Sequence, residues 1–330
     1  MGNDRIISEK NVQIDDEERR MVESKDISVT LTPLQVEYLQ KMEQLGYSIQ
    51  EIIHRAINDL IDKSESTEVN YLSNKTKIVL PPAAMIFVEG GSFCPIASFT
   101  VKISSFYIGK YPVTQAEYRA VMGFNPAHDY GVGADYPVYY VSWFNAIEYC
   151  NRRSIMEGLK PCYSYGSQGT DPDKWQKAWD MEKNNHLQVN CDWDADGYRL
   201  PTEMEWMFSA RGGLKSGNCL FSGSNDIDSV GWHRGNWGEE NYSSHSVGAK
   251  APNELGIYDM SGNVWELVWD IFGAYPSGEI TDPKGAETGT PRVRRGGGWY
   301  FSASVCSVST RSDTEAANSG GSMGFRICRR

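Results

Sequence analysis

Beyond about residue 83 the chain is aromatic, Gly-rich and turn-rich, with few long helical patterns and no fixed-period repeat. That grammar leaves short strands, loops and a few capped helices to build the core. Helices are predicted near 114–121 (TQAEYRAV), 142–153 (SWFNAIEYCNRR) and 202–211 (TEMEWMFSAR), each opening at Thr or Ser with a polar residue soon after, as an N-cap requires. With 40% hydrophobic and 12% aromatic residues the chain can bury a sizeable core, and its 330 residues suit one large or two unequal domains.

The first 82 residues read differently. Residues 1–25 form a polar, charge-rich arm. Within 26–64, ISVTL (27–31) alternates as a strand does, and a helix follows from about 33 to 45 with Leu34, Tyr38, Leu39, Met42 and Leu45 on one face. Gly46 ends it. Ser48 and Glu51 then form a capping box for a second helix, striped by Ile49, Ile52, Ile53, Ala56, Ile57, Leu60 and Ile61. So short a segment cannot bury that much apolar surface alone, and a partner is expected. Residues 65–82 read as a polar linker.

The strand–helix–turn–helix of 26–64 resembles the ribbon-helix-helix family. The resemblance implies that two chains pair their strands into a homo-oligomer, with Ser28 and Thr30 at the outward positions that can read DNA. Residues 1–70, however, hold 8 basic and 15 acidic side chains, a net of −7, and the strand has no basic residue. Oligomerisation without nucleic-acid contact is therefore the expectation, and a DNA-binding regulator with a sensor domain is an alternative. The whole-chain charge of −11 likewise opposes phosphate and anionic-membrane surfaces. No apolar run is long enough for a membrane span, and the start MGNDRIISEKN lacks a signal-peptide core. The chain as written is expected in the cytoplasm, with surface display only if a leader has been removed.

Seven cysteines (94, 150, 162, 191, 219, 306 and 328) are spread without a CxxC pair, which excludes zinc ribbons and redox motifs of that spacing. Buried, reduced thiols are expected. The five histidines (54, 128, 186, 233 and 245) lack the i, i+3 or i, i+4 spacing of a ligand pair.

Six segments in order carry a second resemblance: MIFVEGGSF (85–93), FYIGKYPVTQAEY (106–118), PVYYVSWFNAIEYCN (137–151), YRLPTEMEWMFSARGG (198–213), LGIYDMSGNVWELVWD (255–270), and RVRRGGGWY with MGFRICR in 292–329. Together they resemble the formylglycine-generating-enzyme-like, or sulfatase-modifying-factor, domain over about 83–330. The fold implied is α+β, similar to C-type lectins: a small mixed sheet, flanking helices and many loops. Trp143, Trp206, Trp265 and Trp299 are expected in the core, and glycines 296 to 298 where backbone must approach closely.

Catalysis is not implied. In formylglycine-generating members two cysteines five residues apart bind copper and perform the oxidation; here Phe301 stands at the first position and Cys306 at the second. One thiolate cannot supply two soft ligands for monovalent copper. A copper-dependent oxidoreductase is kept as the alternative. The segment matching YDMSGNVWE wraps calcium in the family, which implies a structural Ca2+ held by the carboxylates of Asp259 and Glu266 and the carbonyls of Met260, Gly262 and Val264.

The stretch 299–323, WYFSASVCSVSTRSDTEAANSGGSM, lacks Lys and Gln. It is dominated by Tyr, Phe, Ser, Ala, Val, Thr, Asp, Asn and Gly, each reachable from an AAC or AAT codon by changing adenines alone. It resembles the variable region of proteins diversified by retroelements, which runs from RGGSW to GFR, with Gly298 here in place of the usual Ser. The positions matching diversified ones are Tyr300, Phe301, Ser302, Ser304, Val305, Thr310, Ser312, Asp313, Ser319 and Gly320. The implied function is non-catalytic binding of a protein ligand, with Trp299, Tyr300 and Phe301 as aromatic anchors and the polar residues as adaptable contacts.

Overall fold

The computed structural model describes residues 83–175, 189–237 and 242–330. The chain divides into two units at Lys75/Thr76. The strand and two helices expected in 26–64 lie outside the described residues. In chain order the strands are β1 (Met85–Val88), β2 (Gly91–Ile96), β3 (Phe99–Ile103), β4 (Phe106–Gly109), β5 (Tyr163–Tyr165), β6 (Val189–Cys191), β7 (Trp265–Ile271), β8 (Gly278–Thr281), β9 (Pro291–Arg295), β10 (Arg311–Glu315), β11 (Met323–Phe325) and β12 (Cys328–Arg329). The helices are α1 (Gln115–Met122), α2 (Trp143–Glu157), α3 (Glu203–Ala210) and the single turn α4 (Ile227–Val230).

The three predicted helices form where their caps place them. Thr114, Ser142 and Thr202 each accept the N3 backbone N–H, while the N3 side chain (Glu117, Asn145 or Glu205) returns to the cap backbone. Each box satisfies two amides that the first helical turn would leave unpaired. α2 runs four residues past the predicted end and stops at Gly158, whose φ of +77° suits a C-cap.

A four-stranded sheet ordered β10-β9-β7-β11 is the spine, antiparallel except for β11, which lies parallel to β7. Helices cover both faces. Trp265 and Leu267 of β7, with Met323 and Phe325 of β11, pack with α2 residues Trp143, Ile147 and Tyr149. Val268 and Val293 pack on the opposite side with Trp206 and Met207 of α3 and with Val101 and Ile108. Because both faces are covered, β7 opens as an unbroken buried run rather than an alternating one. Three smaller sheets, β1-β4-β12, β2-β3-β8 and β5-β6, complete the unit. The four expected core tryptophans are all 4% exposed or less. No helix among the described residues is long and apolar enough to cross a membrane.

Buried ion pairs tie these layers. Arg326, in the GFR segment, meets both oxygens of Glu266 at 2.6 Å and donates to the carbonyls of Gly109 and Tyr258. Glu266 also accepts the Trp206 indole N–H at 2.7 Å. Arg199 and Glu205 form a second bidentate pair, at 2.7 Å for both contacts.

Candidate binding face

The segment from Gly296 to β11 leaves the spine after β9, rejoins one edge of it as β10 and ends on the opposite edge as β11, and buried or half-buried groups hold its backbone along the way. Gly296 and Gly297 have φ of +92° and +73°, and a Cβ on Gly297 would lie 2.6 Å from the Cys306 sulfur, so this approach demands glycine. Trp299 donates its backbone N–H to the Asn263 carbonyl and its indole N–H to that of Gly321. The fully buried Arg295 guanidinium donates to the carbonyls of Val308, Ser309 and Thr310. Arg311 meets both oxygens of Glu203 at 2.8 and 2.7 Å. Tyr140, held at φ +59°, donates its N–H to the Gly320 carbonyl. Five separate clamps therefore fix a stretch that reads as loop.

The candidate contact residues divide three ways on this frame. Tyr300 (55% exposed), Ser302, Ser304, Asp313 and Ser319 point outward. Phe301, Val305, Thr310, Ser312 and Gly320 are half-buried: Phe301 lies edge-on to Trp265, Thr310 hydrogen-bonds Ser307 and the Ser304 carbonyl, and Ser312 accepts long bonds from Arg294. Trp299, expected as an anchor in direct contact, is instead 4% exposed, and its ring supports the face from beneath. Ser312 and Asp313 are neighbours within β10, so their side chains leave opposite faces of the sheet and cannot serve one contact surface together.

Aromatic rings from elsewhere complete the face. Trp237 lies 5.5 Å from Trp299 and 5.8 Å from Tyr300, and Tyr242, 62% exposed, meets Trp237 edge-on at 4.7 Å. On the other side Tyr130 lies 5.2 Å from Trp299 and contacts Tyr140, on which His128 stacks. None of these was picked out from sequence. Their only local signal is aromatic density in turn-rich segments, and nothing in their spacing links them to the tail.

The calcium expectation does not fit. Glu266 is occupied by Arg326 and Trp206 on one face of β7. Asp259 accepts instead from the Gly248 N–H at 2.7 Å and from Asn263 at 3.2 Å. Every partner of both carboxylates is a donor, whereas calcium needs six or more converging oxygens. The amides of Gly262 and Asn263 donate to the carbonyls of Gly296 and Trp232, so the segment serves as a brace beneath Trp299. Among the described residues no three His, Cys, Asp or Glu are grouped to hold a metal ion.

Burial pushes the Asp259 carboxyl up to about 6 from 3.8. A raised acid pKa favours the folded state at low pH: that stabilisation is complete below 3.8 and is lost as pH rises through 6. Lowering pH from 7 to 5 is expected to return about 1 kcal/mol through this group. Thermal or urea unfolding across that range measures it. Asp259→Asn should flatten the pH slope by that amount, and an unchanged slope would refute the assignment.

All seven cysteines are unpaired, six of them buried or half-buried, whereas Cys94 is exposed. Burial raises the Cys306 thiol to about 12, which leaves about one part in 10⁵ as thiolate, the ligand and nucleophile, at pH 7. Maleimide at neutral pH is expected to label Cys94 within minutes and spare Cys306 in the native protein, read by mass spectrometry. Comparable labelling of the two would contradict this burial.

The geometry defines a rigid, lectin-like scaffold that carries a tail with outward, mostly uncharged side chains. The chain belongs to the sulfatase-modifying factor enzyme 1-like domain family, whose model matches residues 72–330. It is 40% identical over 265 residues to a Paenibacillus barcinonensis protein named chaperone protein LppX, covering 74% of this chain and 89% of that one. Over 260 residues it is 32% identical to the formylglycine-generating enzyme of Thermomonospora curvata, covering 69% and 82%. Among solved structures, Treponema denticola variable protein 1 matches with a TM-score of 0.65 and 31% identity, over 74% of this chain and 94% of that one. The fold is the α+β, C-type lectin-like fold of these proteins.

Proposed function

We propose that the protein is a non-catalytic binder, the variable protein of a diversity-generating retroelement, which grips a protein ligand through the tail face. One observation carries this reading. Tyr300, Ser302, Ser304, Asp313 and Ser319 project from a backbone whose position depends on buried glycines, arginines and Trp299 rather than on those side chains. Tyrosine gives contact area at low entropic loss, and serine adapts its hydrogen bonds. The likeness to a protein named variable protein 1 supports the reading. Pairing of chains through residues 26–64 would present two such faces and raise avidity.

Sequencing the tail codons across a population tests it. Variation confined to adenine-derived changes at the ten matched positions, with codons 306, 311 and 326 constant, is expected beside a reverse transcriptase gene and a near-copy of the 3′ end. Uniform tails with no such neighbours would overturn the diversification. The likeness to the Thermomonospora enzyme keeps an oxidoreductase as the second reading. It requires tight stoichiometric Cu(I) binding that is lost on Cys306→Ser, and Phe301 in the place of the partner thiol weighs against that result.

A further inference from the structure

Where solvent reaches a tryptophan of this molecule, a basic side chain covers the ring, with one exception. Trp193, Trp232, Trp237 and Trp269 are the half-buried tryptophans among the described residues. Lys284 lies 4.1 Å above the Trp193 ring, Lys250 4.1 Å above Trp232, and Arg292 5.3 Å from Trp269. A cation is drawn to the negative face of an indole, which is why these pairs form. Trp237 carries no such cation among the described residues, and neither do Tyr242 and Tyr300, the two rings that meet it on the tail face.

These three rings form an open corner. Tyr242 stands edge-on to Trp237 at 4.7 Å, and Tyr300 is tilted 39° to it at 5.8 Å. The two tyrosines are 62% and 55% exposed, so a guest can reach them. The charges nearby leave room for a cation. Arg234, exposed, is the basic residue nearest to Trp237 in the chain, and it stacks on none of the three rings. Residues 238–241, which join Trp237 to Tyr242, lie outside the described residues; they bring two carboxylates, Glu239 and Glu240, and no basic side chain. Asp313 is the charged member of the outward contact residues, and it too is an acid. Arg294 is already committed to the Trp265 ring, and Asp129 pairs with His128 at 3.1 Å. The chain as a whole carries −11.

We propose that this corner holds an arginine side chain of the protein ligand, with the guanidinium against Trp237 and flanked by Tyr242 and Tyr300. The proposal rests on the reading of the tail face as a binding surface and names the chemistry that it grips. A guanidinium suits the corner better than an ammonium, because it is planar, stacks on rings and sheds water more readily. Trp237 and Tyr242 stand outside the ten matched positions, whereas Tyr300 is one of them. Arginine capture is then a constant feature of the face, which residue 300 tunes.

N-acetyl-arginine methylamide is the probe, titrated into the full chain at pH 7 and followed by the Trp237 indole N–H resonance. N-acetyl-citrulline methylamide, of the same shape without the charge, is the comparison. The arginine compound is expected to shift the resonance and to bind roughly three- to fivefold more tightly than citrulline, the scale of an exposed cation–π contact. Tyr242→Ser and Tyr300→Ser together should weaken it roughly tenfold, with the thermal midpoint confirming the fold. Three outcomes would overturn the proposal: citrulline binding as tightly as arginine, the double variant leaving arginine binding unchanged, or neither compound shifting Trp237 at ~10 mM. The diversification reading fails separately, on uniform tail codons, and that result leaves arginine binding by this chain standing.

Discussion

Glu266→Ala is expected to lose about 3–5 kcal/mol of unfolding free energy, because it leaves the Arg326 guanidinium buried without its counter-charge. That is a large part of the stability of a typical domain. The same substitution strands the Trp206 indole N–H, and the two carbonyls held by Arg326 lose a positioned donor. Replacing both partners, Glu266→Leu with Arg326→Met, removes the orphaned charge and should recover part of the loss. Recovery stays incomplete because the Gly109 and Tyr258 carbonyls remain without a donor. Urea unfolding measures both variants. A single-variant loss below about 1 kcal/mol would mean the pair contributes little beyond what solvent provides.

Arg295→Met should act on the tail rather than on the spine. It removes the donors that hold the carbonyls of Val308, Ser309 and Thr310, each worth about 1–3 kcal/mol if left buried and unpaired. The segment is expected to relieve that penalty by opening to water. Amides of residues 307–311 should then exchange about 10- to 100-fold faster, while those of β7 and β11 keep their protection. Loss of ligand grip should follow even though no contact side chain has changed. Unaltered exchange at 307–311 would show that the guanidinium is not the clamp.

The sequence announces what is local. Three capping boxes located three helices, because a cap and its N3 partner lie within one turn. The tryptophans expected inside are inside. Long-range pairing was out of reach: Glu266 and Arg326 are 60 residues apart, and a carboxylate waiting for a guanidinium looks the same in sequence as one waiting for calcium. Trp299 reads equally well as an exposed anchor or a buried strut until Asn263 and Gly321 take its N–H groups. β10 was missed because RSDTE offers no apolar alternation; its pairing with β9 comes from the fold around it, and with it came the separation of Ser312 from Asp313. The rings of Trp237, Tyr242, Tyr130 and Tyr140 reach the face only through tertiary contacts that leave no trace in spacing.

The clamps on the tail also bear on inheritance. Exposed positions remote from caps, cores and ion pairs alter stability by roughly half a kcal/mol or less, and five of the matched codons specify such positions. Under the proposed diversification, chains that differ at these five positions alone are expected still to fold. Selection would then judge such newcomers on what they hold, because at these five positions the backbone is set by Arg295, Trp299 and Arg311, which the matched set leaves out.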